Sequence, residues 1–350
     1  MKYEILITDS SGNKIADVSD RCLSRRYEKI RNRAGYIDLA FDLEDLDKYF
    51  GTIGMDIEDV FRTNVNEVHV YRNGTQMSAG QIQYLNVLME ASRQVVELHA
   101  VGWLELFDSR FTALSQTYTA TDIGAIMWDL IDTTQSETNG DFGITQGTIQ
   151  TSRNADRTYE YKNIKDAIVQ LSEVINSPDF EFTPAKVFNV YYPKQGIQRN
   201  DIAFTYPGNI ISIGYSQDGA EMANQVIANG AGFGAERLLS VADNISNRPT
   251  YKLRQKIVQY PDVSIQDTLD DHADEDLRTA VGLSNLPVVK IDGDITPVLG
   301  SYGLGDEILL QATRHQDVLE PILGWQRIDA IKVDIDENDR EVVDLRLSRI

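Results

Sequence analysis

Apolar and polar residues alternate with a period of two through most of the first hundred positions, the pattern of half-buried strands. Tyr3–Ile7 alternates and runs into a turn at Ser11-Gly12-Asn13. Tyr27–Arg31 and Tyr36–Phe41 form a pair joined by Asn32–Gly35. Glu67–Tyr71 and the strand after it are joined by Arg72-Asn73-Gly74-Thr75, and Asn-Gly between alternating runs is a strong hairpin signal. Gln81–Glu90 and Gln94–Leu106 predict a further long pair. One short helix, Leu43–Phe50, is ended by Gly51. Residues 1–110 therefore predict a compact antiparallel β-barrel.

The period changes near Phe111. Ile123, Ile126, Met127, Leu130 and Ile131 have helical spacing, and Thr121 or Asp122 can cap that helix. A second amphipathic helix, Asn163–Ile175, puts Ile164, Ile168, Leu171 and Ile175 on one face, and Phe180–Phe182 with Val187–Tyr192 form a hairpin. Residues 111–207 read as an α/β module. After Pro207-Gly208 strands return at Asn209–Tyr215 and Met222–Asn229, with Gln217-Asp-Gly219 between them. A third helix, Val263–Leu277, is capped by Ser264. Val288–Ile291, Asp306–Gln311, Trp325–Asp334 and Glu341–Leu347 are strands. The expected architecture is α+β and β-dominated. It has two small antiparallel β-barrels, at 1–110 and at 208–240 with 288–350, and two α/β modules, at 111–207 and 241–287.

Composition narrows the function classes. The chain has 350 residues, 42% apolar and 25% charged, ordinary for a globular protein. Its net charge is −21, from 54 acidic against 33 basic residues, which disfavours nucleic acid and anionic membrane as partners. No basic block exceeds Arg25-Arg26, so sequence-specific DNA binding is not expected. No apolar run approaches a membrane span, and the start is too charged for a signal peptide. Cys22 is the only cysteine, so intramolecular disulfides and cysteine-based zinc sites are excluded, as fits a reducing cytoplasm.

Several constellations resemble chemical sites and fail on detail. Asp334–Asp339 begins like a calcium loop, but Asp339 stands where that loop needs Gly and Leu345 where it needs Glu, so a polar turn is expected. Gly230-Ala-Gly-Phe-Gly234 has GxGxG spacing and no convincing helix after it, which fits a barrel loop better than a phosphate cradle. Asp270, Asp271, Asp274 and Asp276 with His272 spread around a helix, as a solvated face does. Of the four histidines, His69, His99, His272 and His315, the first two lie in expected strands of one domain among apolar residues, so structural roles are expected for them. Cys22 has no nearby helix N-terminus or partner motif and reads as an inert thiol. GxSxG, HExxH and P-loop motifs are absent, and the sequon at Asn244 has no meaning without a secretory route. No catalytic, cofactor-binding or metal-ligating residue is assigned.

A family resemblance follows from the order of motifs along most of the chain. Ala100–Arg110 is similar to the close of the first domain in hub and minor tail proteins of long-tailed bacteriophages. Asp122–Ile131, then Asn209-Ile210, Asp218 and Ala223-Asn224 leading to Asn229–Gly232, follow as in those proteins. So do Ile265–Leu277, Leu299–Asp306 and Trp325–Ile328. The resemblance implies a homotrimer whose paired barrels form a pseudo-sixfold ring, adapting a sixfold tail tube to a threefold tip around a DNA exit channel. The implied location is the virion tail tip, assembled in the host cytoplasm. Implied partners are the distal tail or tail-tube protein, the tape-measure protein and fibre or receptor-binding proteins, with DNA passing without specific binding and no membrane insertion. No cofactor is implied. Because the chain stops just after its last strand, it resembles a hub without a C-terminal extension. Two rival readings remain open: a tail-associated peptidoglycan hydrolase using Cys22 or a histidine, and a carbohydrate-binding adhesin using Tyr159, Tyr161, Tyr191 and Tyr192.

Overall fold

A computed structural model describes residues 2–90, 93–214, 219–281, 288–312 and 322–349. Gln217, Asp218 and His315 lie outside the described residues. The β-dominated α+β architecture matches the sequence expectation, and its strands are joined more continuously than two separate barrels would be.

The chain begins with β1 (Tyr3–Thr8) and β2 (Lys14–Asp17), followed by β3 (Cys22–Ile30) and β4 (Tyr36–Asp42). Tyr3, Ile5 and Ile7 of β1 all point into the core, as the period of two requires. Helices α1 (Leu43–Ile53) and α2 (Ile57–Val60) follow. Asp42 caps α1 by accepting from the Asp45 N–H at 3.0 Å, and Leu46 and Phe50 are its buried residues. The helix passes the expected stop at Gly51 and ends at Gly54, whose left-handed φ of 71° lets its N–H reach back to the last turn. β5 (Glu67–Arg72) turns through Asn73-Gly74, both with positive φ, into β6 (Thr75–Glu90), which pairs with β7 (Arg93–Val101). β7 ends at Val101, and after Gly102 the segment Trp103–Ser109 forms a 3-10 helix where a continued strand was expected. Its Trp103, Leu104, Leu106 and Phe107 serve a second core, and a helical turn aims four nearly consecutive side chains there where a strand would split them between faces.

The middle of the chain holds β8 (Gln116–Asp122), α3 (Ile123–Gln135), β9 (Thr145–Ile149), β10 (Asn154–Tyr159), α4 (Ile164–Ser172), β11 (Asp179–Phe182) and β12 (Val187–Tyr191). Asp122 caps α3 and Asn163 caps α4, each accepting a backbone N–H three residues on. α4 stops at Ser172, short of the expected Ile175. β13 (Gln198–Tyr206), a largely polar strand with no sequence signal, runs parallel to β19. β14 (Ile210–Gly214) pairs with β18, whereas β15 (Gln225–Asn229) pairs with β16 (Leu239–Asp243) and β17 (Gln255–Gln259) in a separate sheet. β14 and β15, both expected in the second barrel, therefore belong to different sheets. The short helix α5 (Arg248–Tyr251) precedes β17, and α6 (Gln266–Ala280) starts three residues later than Val263. Val263 is buried, and its carbonyl accepts the Ala231 N–H, so it holds the Gly230 loop instead of opening the helix. β18 (Val288–Asp292), β19 (Glu307–Ala312), β20 (Ile322–Ile335) and β21 (Glu341–Arg349) complete the described elements.

Thirteen strands form one sheet, in the path β14-β18-β21-β20-β3-β4-β7-β6-β5-β1-β2, with β19 on β20 and β13 on β19. Among the described residues no pairing joins the ends of this path, so neither expected barrel closes on itself. The bridge is the antiparallel contact of β3 with β20, from Ala330 opposite Ile30 to Ile335 opposite Arg25. One core runs beneath it, containing Tyr3, Phe41 and Phe50 from the first part of the chain and Ile308, Val333 and Leu347 from the last. A second core packs Trp103, Phe107, Ile126, Leu171 and Phe188, and a smaller one packs Ala228, Ala242, Val263 and Leu269 under α6.

Gly196 and Gly305 lock two loops beside β13 and β19 through mutual close approach. A Cβ on Gly196 would sit 2.2 Å from the Gly305 carbonyl carbon, and one on Gly305 would sit 2.3 Å from the Gln195 oxygen. Both have φ of +80°. Gly196→Ala is expected to lower unfolding free energy by about 3 kcal/mol in urea titration, from strain and backbone clash together. Gly12→Ala, at φ +82° with open space around it, should cost only about 1 kcal/mol.

Candidate functional site

The candidate residues that the structure describes have partners within the fold. Cys22 is buried in the large core, its Sγ donates to the Val18 carbonyl at 3.3 Å, and burial pushes its thiol up to about 12. His69 is held between Thr8 Oγ1 at 3.0 Å and Gln76 Nε2 at 2.8 Å. His99 stacks on Tyr36 and bonds Asp38 through Nδ1 at 2.6 Å. The Asp334–Asp339 segment is a turn: Asp336 Oδ1 accepts the N–H groups of Asn338 and Arg340, at 2.8 and 2.9 Å, and Asp339 takes φ +60°. The Gly230 loop is pinned by Gly230 N–H to the Leu238 carbonyl and leads to only a three-residue 3-10 helix. In the acidic cluster Asp270 bonds Gln266, Asp271 pairs with Arg153, and Asp276 accepts from the Tyr260 hydroxyl. These carboxylates diverge, and no group of three or more metal-ligating side chains converges among the described residues.

His272 is the one member of that cluster in an unusual setting. It is 1% exposed, stacks on Tyr260 at 4.1 Å, and its Nε2 lies 3.1 Å from Arg157 Nη2. Arginine can only donate, so Nε2 accepts and the proton resides on Nδ1, which has no partner. Burial, helped by Arg157 and Arg153, lowers its pKa to about 3. The contact ties the 111–207 segment to α6, and Arg153 with Asp271 adds an ion pair across the same join.

Sequence reading missed the two charge clusters that hold the large sheet to its neighbours, because their members are far apart along the chain. Glu341 has a fully buried side chain. Lys2 Nζ approaches it at 2.8 Å, Arg72 Nε donates to it at 3.0 Å, and the Tyr3 hydroxyl also donates to it. Arg72 continues to the Leu299 carbonyl at 3.0 Å, and Lys2 to Asp294 at 2.6 Å. Alongside, Arg25 pairs with Asp339 at 2.8 Å. At the second cluster Asp179 accepts from Arg31 at 2.7 Å, from Asn32 Nδ2 at 2.8 Å, from the Gln195 N–H at 2.8 Å, and from Arg327. Burial opposes ionisation of Asp179, but Arg31 and Arg327 outweigh it and hold the carboxyl below the usual aspartate range. Asp179 thus joins β11 to both strands of the β3–β20 bridge.

Glu341→Ala leaves two cations facing a dry space and is expected to cost roughly 3–5 kcal/mol in chemical denaturation. His272 stays neutral when folded down to about pH 3 but takes up a proton near pH 6.5 when unfolded. Acidification across that window therefore lowers stability, by at most about 1.4 kcal/mol per pH unit from this group. His272→Gln should flatten that part of the stability–pH curve. Asp179 acts lower: its contribution is present above the ordinary aspartate pKa and is lost as pH falls through its depressed folded value.

No protein-family model matches the sequence. No curated protein sequence matches it. Solved structures do match its fold. A tail protein from Neisseria meningitidis superposes with TM-score 0.67 at 11% identity, over 100% of this chain and 97% of that one. The 43 kDa tail protein of prophage MuSo2 from Shewanella oneidensis gives 0.66 at 10% identity, over 99% and 98%. Prophage tail protein gp18 from Listeria monocytogenes gives 0.56 at 12% identity, over 98% and 94%. With both chains spanned almost end to end, this chain has the fold of these tail proteins.

Proposed function

We propose that the chain is the structural hub of a phage tail or baseplate. It assembles as a homotrimer whose two β-rich halves form a pseudo-sixfold ring, adapting the tail tube to a threefold tip and surrounding the DNA exit channel. The carrying observation is the β3–β20 bridge, which makes the first and last strand sets of one subunit a single rigid sheet. A ring that must present two equivalent halves per subunit needs that rigidity. Its partners are the distal tail or tail-tube protein, the tape-measure protein and fibre or receptor-binding proteins, at the virion tail tip. The net charge of −21 suits a wall past which DNA slides without binding. The modules at 111–207 and 241–287 decorate the ring.

The hydrolase reading gains no support from Cys22, which is buried and strongly disfavoured as a thiolate. Nor do the tyrosines gather into a sugar-binding platform. Tyr159 is buried, Tyr191 bonds Glu181, and of the four only Tyr161 and Tyr192 are well exposed.

Native mass measurement on the purified full chain tests the proposal. A trimer, with no release of fragments from peptidoglycan, is the expected result. A persistent monomer, or hydrolysis that Cys22→Ala abolishes, would overturn it.

A further inference from the structure

A cleft of about 280 Å³ opens where three parts of the chain meet. The end of β3 and the turn after it supply one wall, and β11 with Pro184 a second. The start of β6 and the Gly300–Leu304 loop supply the rest. Met77, Trp103, Phe180 and Phe182 give it an apolar lining. The first three are buried, so the cores behind them fix their positions.

Two charges in this cleft lack an opposite partner. Lys29 follows Arg25 and Tyr27 on the core-facing side of β3, beside the buried Ile331 of β20. Arg25 is answered by Asp339, but the Lys29 side chain makes no hydrogen bond or ion pair among the described residues. Burial lowers the Lys29 pKa from the ordinary lysine value, and the charge of Glu181 only partly offsets this. Glu181 lines the same cleft from β11. It accepts from the Tyr191 hydroxyl at 3.0 Å and from Gln195 Nε2 at 3.1 Å, both neutral groups, and it pairs with no cation among the described residues. Lys29 and Glu181 attract each other without touching. The other charges of the lining are already taken, Glu28 by Arg346 and Arg33 by Glu173.

We propose that this cleft binds a free α-amino acid with an aromatic or aliphatic side chain. Its carboxylate meets the Lys29 ammonium, its ammonium meets Glu181, and its side chain lies against Met77, Phe180 and Phe182. Charge selects the class. A plain carboxylate would satisfy Lys29 and be repelled by Glu181, and a plain amine would do the reverse. A zwitterion completes both, and the few bonds between its charged groups suit two side chains that attract each other across a gap. The volume sits just below the roughly 300–1,000 Å³ of ordinary ligand clefts, which favours a small molecule over a folded partner. The site needs no second copy of the chain, so it stands apart from the trimer reading. Its walls come from the first strand set, the 111–207 module and the last strand set, and an occupant ties all three together.

Calorimetric titration of the full chain with L-phenylalanine, and with L-leucine as the aliphatic case, tests the proposal. The analogues 3-phenylpropionate and 2-phenylethylamine each lack one charge. The wild type should bind one amino acid per chain, at least tenfold more tightly than either analogue. Lys29→Met and Glu181→Gln should each weaken amino-acid binding at least tenfold. Glu181→Gln should also strengthen 3-phenylpropionate, a reversal that loosening of the cleft would not produce. Lys29→Met should melt at or above the wild-type temperature, since an unanswered buried cation is costly. Glu181→Gln keeps hydrogen-bonding atoms for Tyr191 and Gln195. The bound amino acid should raise the melting temperature of the wild type and leave that of Lys29→Met unchanged. Failure of both amino acids to bind the wild type, or equal binding by the wild type and Lys29→Met, would overturn the proposal. Binding of 3-phenylpropionate as tight as that of L-phenylalanine would overturn it too, in favour of a simple anion site.

Discussion

A buried carboxylate with cations from the opposite end of the chain holds this molecule together. Glu341 begins β21, yet Lys2, Tyr3 and Arg72 from β1 and β5 or beside them surround it. An unpaired carboxylate at that depth would be expensive, and so would the cations without it. The cluster therefore makes the first and last strands of the large sheet mutually dependent. The β3–β20 ladder applies the same constraint through backbone hydrogen bonds, and Asp179 extends it to β11. With these joins made, two β-rich halves share one core.

Local order was legible in the sequence wherever the signal is local. The Asn73-Gly74 turn, the Asp122 and Asn163 caps and the alternation of Tyr3–Ile7 each report chemistry within a few residues. The fold class and the family resemblance rest on many such signals in order. Pairings between distant segments were not legible. β13 reads as polar because Ile202 and Phe204 are its only buried residues, and β15 looks like a partner for β14 because both alternate. Helix ends moved for specific reasons: Gly54 supplies the left-handed residue that Gly51 does not, and Val263 is already engaged by the Gly230 loop. Among candidate chemical residues His69, His99 and Cys22 each bond to a partner inside the first strand set. The depth of His272 was missed, since an acidic helix gives no sign of an arginine arriving from 115 residues away.

Charge is distributed with a purpose that the total conceals. Acidic side chains in the interior are consumed by arginines at the joins, while the basic residues of 235–260 lie around an apolar sheet face. The same composition thus supports internal cohesion in one place and leaves an apolar sheet face edged by basic residues in another.

The β3–β20 ladder also sets a timetable for synthesis. β3 leaves the ribosome roughly three hundred residues before its neighbour β20 exists, at about 5–20 residues per second. During that interval one edge of the N-terminal sheet stands open, with Tyr27 and its neighbours awaiting cover. The compact middle segments can pack around their own cores meanwhile. Completion of the large sheet is then a late, long-range event, slow for the reason that distant pairings generally are. A cell making many copies at once would hold a population of unfinished edges, each able to pair with the wrong chain before its own C-terminal strands emerge.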